Sequence, residues 1–125
     1  MLVPPRKQMI EATVTFLPKS EGGRNWYDGM LRTGQSWPHI VIGDPGQRKA
    51  IVTETNLCTE EYLGVAFTDG PEHVEPGVPT TVTMALVYWQ PGFEYSAAVP
   101  GATFTLREGP AVIGFGTIAR RWAGE

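Results

Sequence analysis

From Met9 to Leu17 apolar and polar residues alternate one by one. Ile10, Ala12, Val14 and Phe16 fall on one side and Glu11, Thr13 and Thr15 on the other. A period of two belongs to a strand with one buried and one wet face. The same alternation runs from Thr80 to Trp89, with Val82, Met84, Leu86 and Tyr88 set against Thr81, Thr83, Ala85, Val87 and Trp89. Phe104 to Ile118 alternates up to a turn carrying Arg107, Glu108 and Gly109, then returns as an apolar run broken by Gly114 and Gly116. This predicts a β-hairpin whose return strand lacks Cβ atoms at two alternate positions, so that another backbone can approach. Three shorter runs, His39–Gly43, Lys49–Thr55 and Tyr62–Thr68, complete seven strand candidates. The first of these ends in the turn Asp44-Pro-Gly46, and Asn56 to Glu61 predicts a single helical turn. Strands this short and this closely linked imply one antiparallel barrel or sandwich over residues 1–125.

Composition narrows the reading. Fifteen glycines and eleven prolines leave almost no stretch long enough for a helix. A chain of 125 residues buries roughly two-thirds of its unfolded surface, and its 42% hydrophobic and 18% charged content suits a packed domain. No apolar run approaches the ~20 residues of a membrane helix, so no membrane role is expected. The start of the chain lacks the order of a signal peptide. The lone Cys58 rules out an internal disulfide and makes a reducing cytoplasm the expected compartment. A net charge of -3 counts against a protein that lives on phosphate contacts.

Candidate chemistry lies in the connections. Pro18 to Gly34 is a long loop holding Glu21-Gly-Gly-Arg24 and the polar-aromatic stretch Asn25-Trp-Tyr-Asp28. Arg24 could meet a phosphate or carboxylate through its planar fork, or pin its own loop by pairing with Glu21 or Asp28. Arg107 and Glu108 could face a partner as a charge pair, or stand solvated at their turn. Trp26, Tyr27, Trp37, Trp89, Phe93, Tyr95 and Trp122 sit largely in or beside loops, where aromatic rings serve as binding anchors, stack on bases, or cap the ends of a barrel. His39 and His73 are the only imidazoles, and neither has a second ligand at zinc spacing, so no metal and no other cofactor is expected. An acid–base pair drawn from Asp69, Glu72, His73 and Glu94 in an end pocket is the catalytic alternative.

Several motifs occur together in an order that resembles domain 3, the C-terminal β-barrel, of elongation factor Tu. Phe16-Leu-Pro-Lys19-Ser-Glu21-Gly22-Gly23-Arg24 is similar to the loop after that barrel's first strand, Val74-Glu-Pro76-Gly77 to a later turn, and Thr80–Trp89 to the strand that follows it. The Arg107-Glu-Gly109 turn with Gly114-x-Gly116 resembles its last hairpin. The likeness covers about residues 9–122 and implies a closed antiparallel Greek-key β-barrel of six or seven strands. It also implies a contact surface for tRNA or translation proteins around Arg24, His39 and Arg107. The departures are Gly109-Pro110-Ala111-Val112 at the hairpin tip, where a basic residue is lost, and Trp37-Pro38-His39-Ile40. No Gly-x-x-x-x-Gly-Lys-Ser/Thr cradle is present, so GTP binding and hydrolysis are not expected. The resulting expectation is a non-catalytic binding module for a translation-related protein or RNA, with tRNA disfavoured by the charge. A regulatory or immunity-type barrel without an RNA role, and a subunit of a split factor whose GTPase half is a separate chain, stand beside it. The initiating Met1 and the Pro4-Pro5 lead-in fit a chain that begins where the barrel begins.

Overall fold

A computed structural model describes residues 7–24, 26–32, 36–52, 54–55 and 60–124. Among them six strands form: β1 (Gln8–Phe16), β2 (His39–Ile42), β3 (Leu63–Asp69), β4 (Thr80–Leu86), β5 (Thr103–Glu108) and β6 (Ala111–Ala123). They close into one antiparallel barrel in the order β1-β4-β3-β2-β5-β6. Strands β2, β3 and β4 follow one another while β1 lies beside β4, which is the Greek-key arrangement. The expected fold class is therefore the observed one, with six strands.

Alternation explains the core. Ile10, Ala12, Val14 and Phe16 of β1 are fully buried and meet Val82 and Met84 of β4, Val65 and Phe67 of β3, Ile40 of β2, and Phe104 and Leu106 of β5 in a single cluster. On β6 the glycines do what their spacing predicts. A Cβ on Gly116 would stand 2.3 Å from the Thr13 carbonyl oxygen of β1, and one on Gly114 would stand 2.9 Å from that of Thr15. The two strands approach too closely there for any side chain. Gly109 (φ +57°) takes the first of the two connecting positions of the β5–β6 hairpin, where a positive φ matches the strand twist.

One strand candidate is corrected. Of Lys49–Thr55, the described residues join no strand and belong to the 43–62 connection. Ile51 and Val52, which suggested a buried run, are exposed, and the Ile51 N–H donates to the Glu60 carboxylate instead of to a ladder. The helical turn expected at Asn56 to Glu61 falls mostly outside the described residues, as do Cys58 and the Met1 to Pro5 lead-in. Antiparallel connectivity places the β1–β2, β3–β4 and β5–β6 connections at one end of the barrel and the β2–β3 and β4–β5 connections at the other. Among the described residues no helix is long and apolar enough to cross a membrane.

Candidate functional site

The first end of the barrel is closed by Tyr27. Its ring lies 4.8 Å from that of Phe16, and Phe16 in turn lies 6.1 Å from Phe67. The Tyr27 hydroxyl accepts the Arg24 N–H at 2.7 Å and donates to the Leu17 carbonyl at 2.7 Å, with the Ile113 carbonyl at 3.2 Å. Burial raises the pKa of this phenol above its ordinary value, so it stays a donor. Tyr27 was expected as a partner anchor. With 2% of its surface exposed it is a plug that ties β1, β6 and the loop together. The Glu21-Gly-Gly-Arg24 motif is explained by the same plug: a Cβ on Gly23 would collide with the Leu17 carbonyl and lie 2.5 Å from the Tyr27 hydroxyl.

Immediately before this plug the chain faces outward. Trp26 is 72% exposed. Beside it the Asp28 carboxylate accepts the Val74 N–H at 2.6 Å through Oδ1 and faces His73 Nδ1 at 3.1 Å through Oδ2. The other ring nitrogen, Nε2, lies 3.2 Å from Glu75 Oε2. The Gly29 N–H donates to the Glu72 carbonyl at 2.8 Å, so the two long loops of this end are stitched by backbone as well as by side chains. The bonds from Val74 N–H and then from His73 hold the Asp28 carboxyl below its usual range. The bonds to Asp28 and then to Glu75 push the His73 imidazole above its ordinary value of 6.5. Two hollows share Trp26, Asp28 and His73: one of about 410 Å³ reaching Gly29 and Glu72, and one of about 190 Å³ reaching Val74, Glu75 and Pro76. Trp26 and His73 thus stand between two concavities, both open to solvent.

Sequence reasoning placed Arg24, His39 and Arg107 on one contact surface; the structure joins Arg24 to Glu108 and sets Arg107 apart with Glu60. Arg24 Nε pairs with Glu108 Oε1 at 3.0 Å, across the loop and the hairpin tip; its expected partners were Glu21 and Asp28. Arg107, expected to stand at a solvated or partner-facing turn, is 0% exposed. It points to the outer face of the barrel, where Glu60 and Tyr62 lie over it. Its Nη1 donates to Glu60 Oε1 (3.0 Å) and to the Tyr62 hydroxyl (2.9 Å), Nη2 to Glu60 Oε2 (2.9 Å), and Nε to Thr105 Oγ1 (2.8 Å). Burial works against the charge of Arg107, but the bonds to Glu60 and Tyr62 outweigh it and hold the guanidinium above its ordinary value. Glu60 also accepts the Ile51 N–H and the Gln47 side-chain amide, and the Arg107 bonds are the main reason its carboxyl is held down to about 2. Arg107 anchors a strap across the barrel wall and offers no group to a partner.

His39 lies opposite Arg107 in the ladder, with its ring 5.7 Å from that of Tyr62, and so belongs to this strap region. Trp37 is 56% exposed just before β2. Of the remaining aromatics, Tyr95 plugs the second end as Tyr27 does the first: its hydroxyl donates to the Gly64 carbonyl and accepts the Tyr88 N–H. Trp89 packs against the core and Trp122 lies under the Arg120 guanidinium, 4.5 Å away. The pairing of Asp28 with His73 escaped sequence reasoning. The two stand 45 positions apart, and only barrel closure brings their loops together. Among the described residues no group of three His, Cys, Asp or Glu side chains is placed to hold a metal ion. No protein-family model matches this chain, and a comparison with curated proteins finds no match.

Proposed function

We propose that this chain is a non-catalytic binding module, a barrel similar to domain 3 of elongation factor Tu, which docks a translation-related protein through the end that carries Trp26. The observation that carries this reading is the Trp26–His73 ridge. A tryptophan exposed over most of its surface stands between two hollows on loops fixed by hydrogen bonds at Asp28, Val74, Gly29 and Glu72. Rigid exposed aromatics of this kind anchor protein interfaces because they bury large area at small entropic cost.

Charge supports a protein over an RNA partner. The hollows are edged by the carboxylates of Asp28, Glu72 and Glu75, which repel phosphate, while Arg24 is occupied by Glu108 and Arg107 is buried. The same geometry argues against acid–base catalysis at His73. Both ring nitrogens face carboxylates, which favour the protonated imidazole over a free base. The matching surface is one with basic residues around an apolar recess.

The test immobilises the purified chain and compares what it retains from its own cell extract with what Trp26→Ala and Val52→Ser retain. One protein is expected to be enriched by the wild type and by Val52→Ser, a substitution in the 43–62 connection, and lost with Trp26→Ala. Equal retention by Trp26→Ala would remove Trp26 from the interface and this reading with it. Labelled tRNA titrated across salt is expected to show no specific binding; affinity falling linearly with log salt would replace the protein partner by RNA.

A further inference from the structure

The second end of the barrel carries a separate groove. Two hollows, of about 370 and 310 Å³, share Glu61, Leu63 and Ala97 and so run into one another. Their apolar lining comes from Val41, Ile42, Ile51, Leu63, Phe93 and Ala97. The carboxylates along them are Glu60, Glu61 and Glu94, and no basic side chain lines either hollow. Arg107 neutralises Glu60. The Arg121 guanidinium donates to the carbonyls of Glu94, Tyr95 and Ala98, keeps its charge and offsets part of that of Glu94. With Glu61 and Glu94 set against Arg121, the rim keeps a net negative charge.

Among the described residues the end of β2 in this groove also lacks a ladder partner in β3. Strand β3 pairs with β2 only at His39–Gly64 and Ile40–Leu63, so among the described residues Val41 and Ile42 have no ladder partner in β3. The Gly43 N–H donates to Thr103 on the β5 side. Groups along an antiparallel strand alternate in direction, so the N–H and C=O of Ile42 face away from β5, toward the side where β3 supplies no ladder partner among the described residues. The opposite wall is fixed. Tyr95 adopts φ +52°, a left-handed conformation that costs a non-glycine residue about 1 kcal/mol. It is held there by its hydroxyl bonds to Gly64 and Tyr88 and by the Arg121 bond to its carbonyl. Backbone strain maintained by three bonds marks a wall shaped in advance.

We propose that this groove binds an extended peptide segment of a partner protein, in which apolar side chains alternate with lysine or arginine. The segment adds to the edge of β2 at Ile42 by backbone hydrogen bonding, sets its apolar residues against Leu63 and Phe93, and turns its cations toward Glu61 and Glu94. An open strand edge fixes an extended occupant, the apolar floor fixes alternate side chains, and the two rim carboxylates fix the sign of the remainder.

The experiment uses the full chain labelled with nitrogen-15 and two capped hexapeptides, one alternating valine with lysine and one alternating valine with glutamate. The lysine peptide is expected to shift the amides of Ile42, Leu63 and Ala97 and to slow hydrogen exchange at Ile42. Glu61→Gln/Glu94→Gln is expected to weaken it at least about fivefold, the sum of two exposed charge pairs. Raising salt from roughly 0.05 to 0.3 M weakens it in the same direction. Trp26→Ala leaves it unchanged, which keeps the groove distinct from the Trp26 end. Equal binding of the glutamate peptide, shifts scattered away from Ile42, or no shift at millimolar peptide each overturn the proposal.

Discussion

A guanidinium taken wholly out of water is tolerated only where acceptors replace the lost hydration. Arg107 meets that demand with Glu60, Tyr62 and Thr105, and the consequence is mutual dependence: remove the arginine and the Glu60 carboxylate, 7% exposed, loses its opposite charge. Arg107→Met is therefore expected to destabilise the barrel by about 3–5 kcal/mol, the cost of an uncompensated buried charge. Glu60→Leu/Arg107→Met, which removes both charges, should recover most of that loss. Urea unfolding of the two variants checks both values; equal losses in the single and double variants would dismiss the coupling. His73 behaves differently because it is exposed. Its nearest groups are the Asp28 and Glu75 carboxylates, so its proton is expected to leave above pH 6.5. A proton NMR titration should give a midpoint above that value, moving back toward it in Asp28→Asn. A midpoint at or below 6.5 in the wild type would mean the carboxylates do not hold the ring in solution.

At the scale of strands, β6 depends on what it lacks. Its contact with β1 at Gly116 leaves 2.3 Å between a would-be Cβ and the Thr13 carbonyl, a gap closed only by moving a ladder that also holds Ala12–Ile118 and Thr15–Phe115. Gly116→Ala is expected to cost at least about 2 kcal/mol, in the range of overpacked cores, read as a lower urea midpoint with an unchanged slope. This feature was legible in the sequence because two glycines at a two-residue step interrupt an otherwise apolar strand. Strands β1 and β4 were legible for the same kind of reason, since one buried face imposes a period of two. The strap was not. Periodicity reports which way a side chain points and says nothing of what later folds across it, so Arg107 read as a turn residue although its outward face is covered by residues near position 60. Tyr27 and Tyr95 read as loop aromatics, and the hydrogen bonds that make them plugs run to backbone 10 and 31 positions away.

In the whole molecule closure matters most, because β1 is paired on both sides, with β4 and with β6, and no edge is left between the first strand and the last. Loops distant in sequence are thereby held against one another, and their titrating groups report on the fold as a unit. Glu60, held down to about 2 from an ordinary 4.5, stabilises the native state fully above pH 4.5 and loses that contribution as pH falls toward 2. A shift of that size corresponds to roughly 3 kcal/mol. Asp28, also lowered, acts in the same direction at the acid side of its ordinary value of 3.8. His73, raised, contributes fully below pH 6.5 and loses its part as pH rises through its higher native value. These three groups together place the stability maximum between pH 4.5 and 6.5, with a steep acid limb and a shallow alkaline one, since His73 is exposed and Glu60 is not. Urea midpoints measured from pH 2 to 9 should follow that asymmetric curve, and Glu60→Gln should flatten its acid limb without moving the alkaline one. An acid limb that persists at full depth in Glu60→Gln would transfer the effect to other carboxylates and leave the strap without its assigned part in holding the barrel.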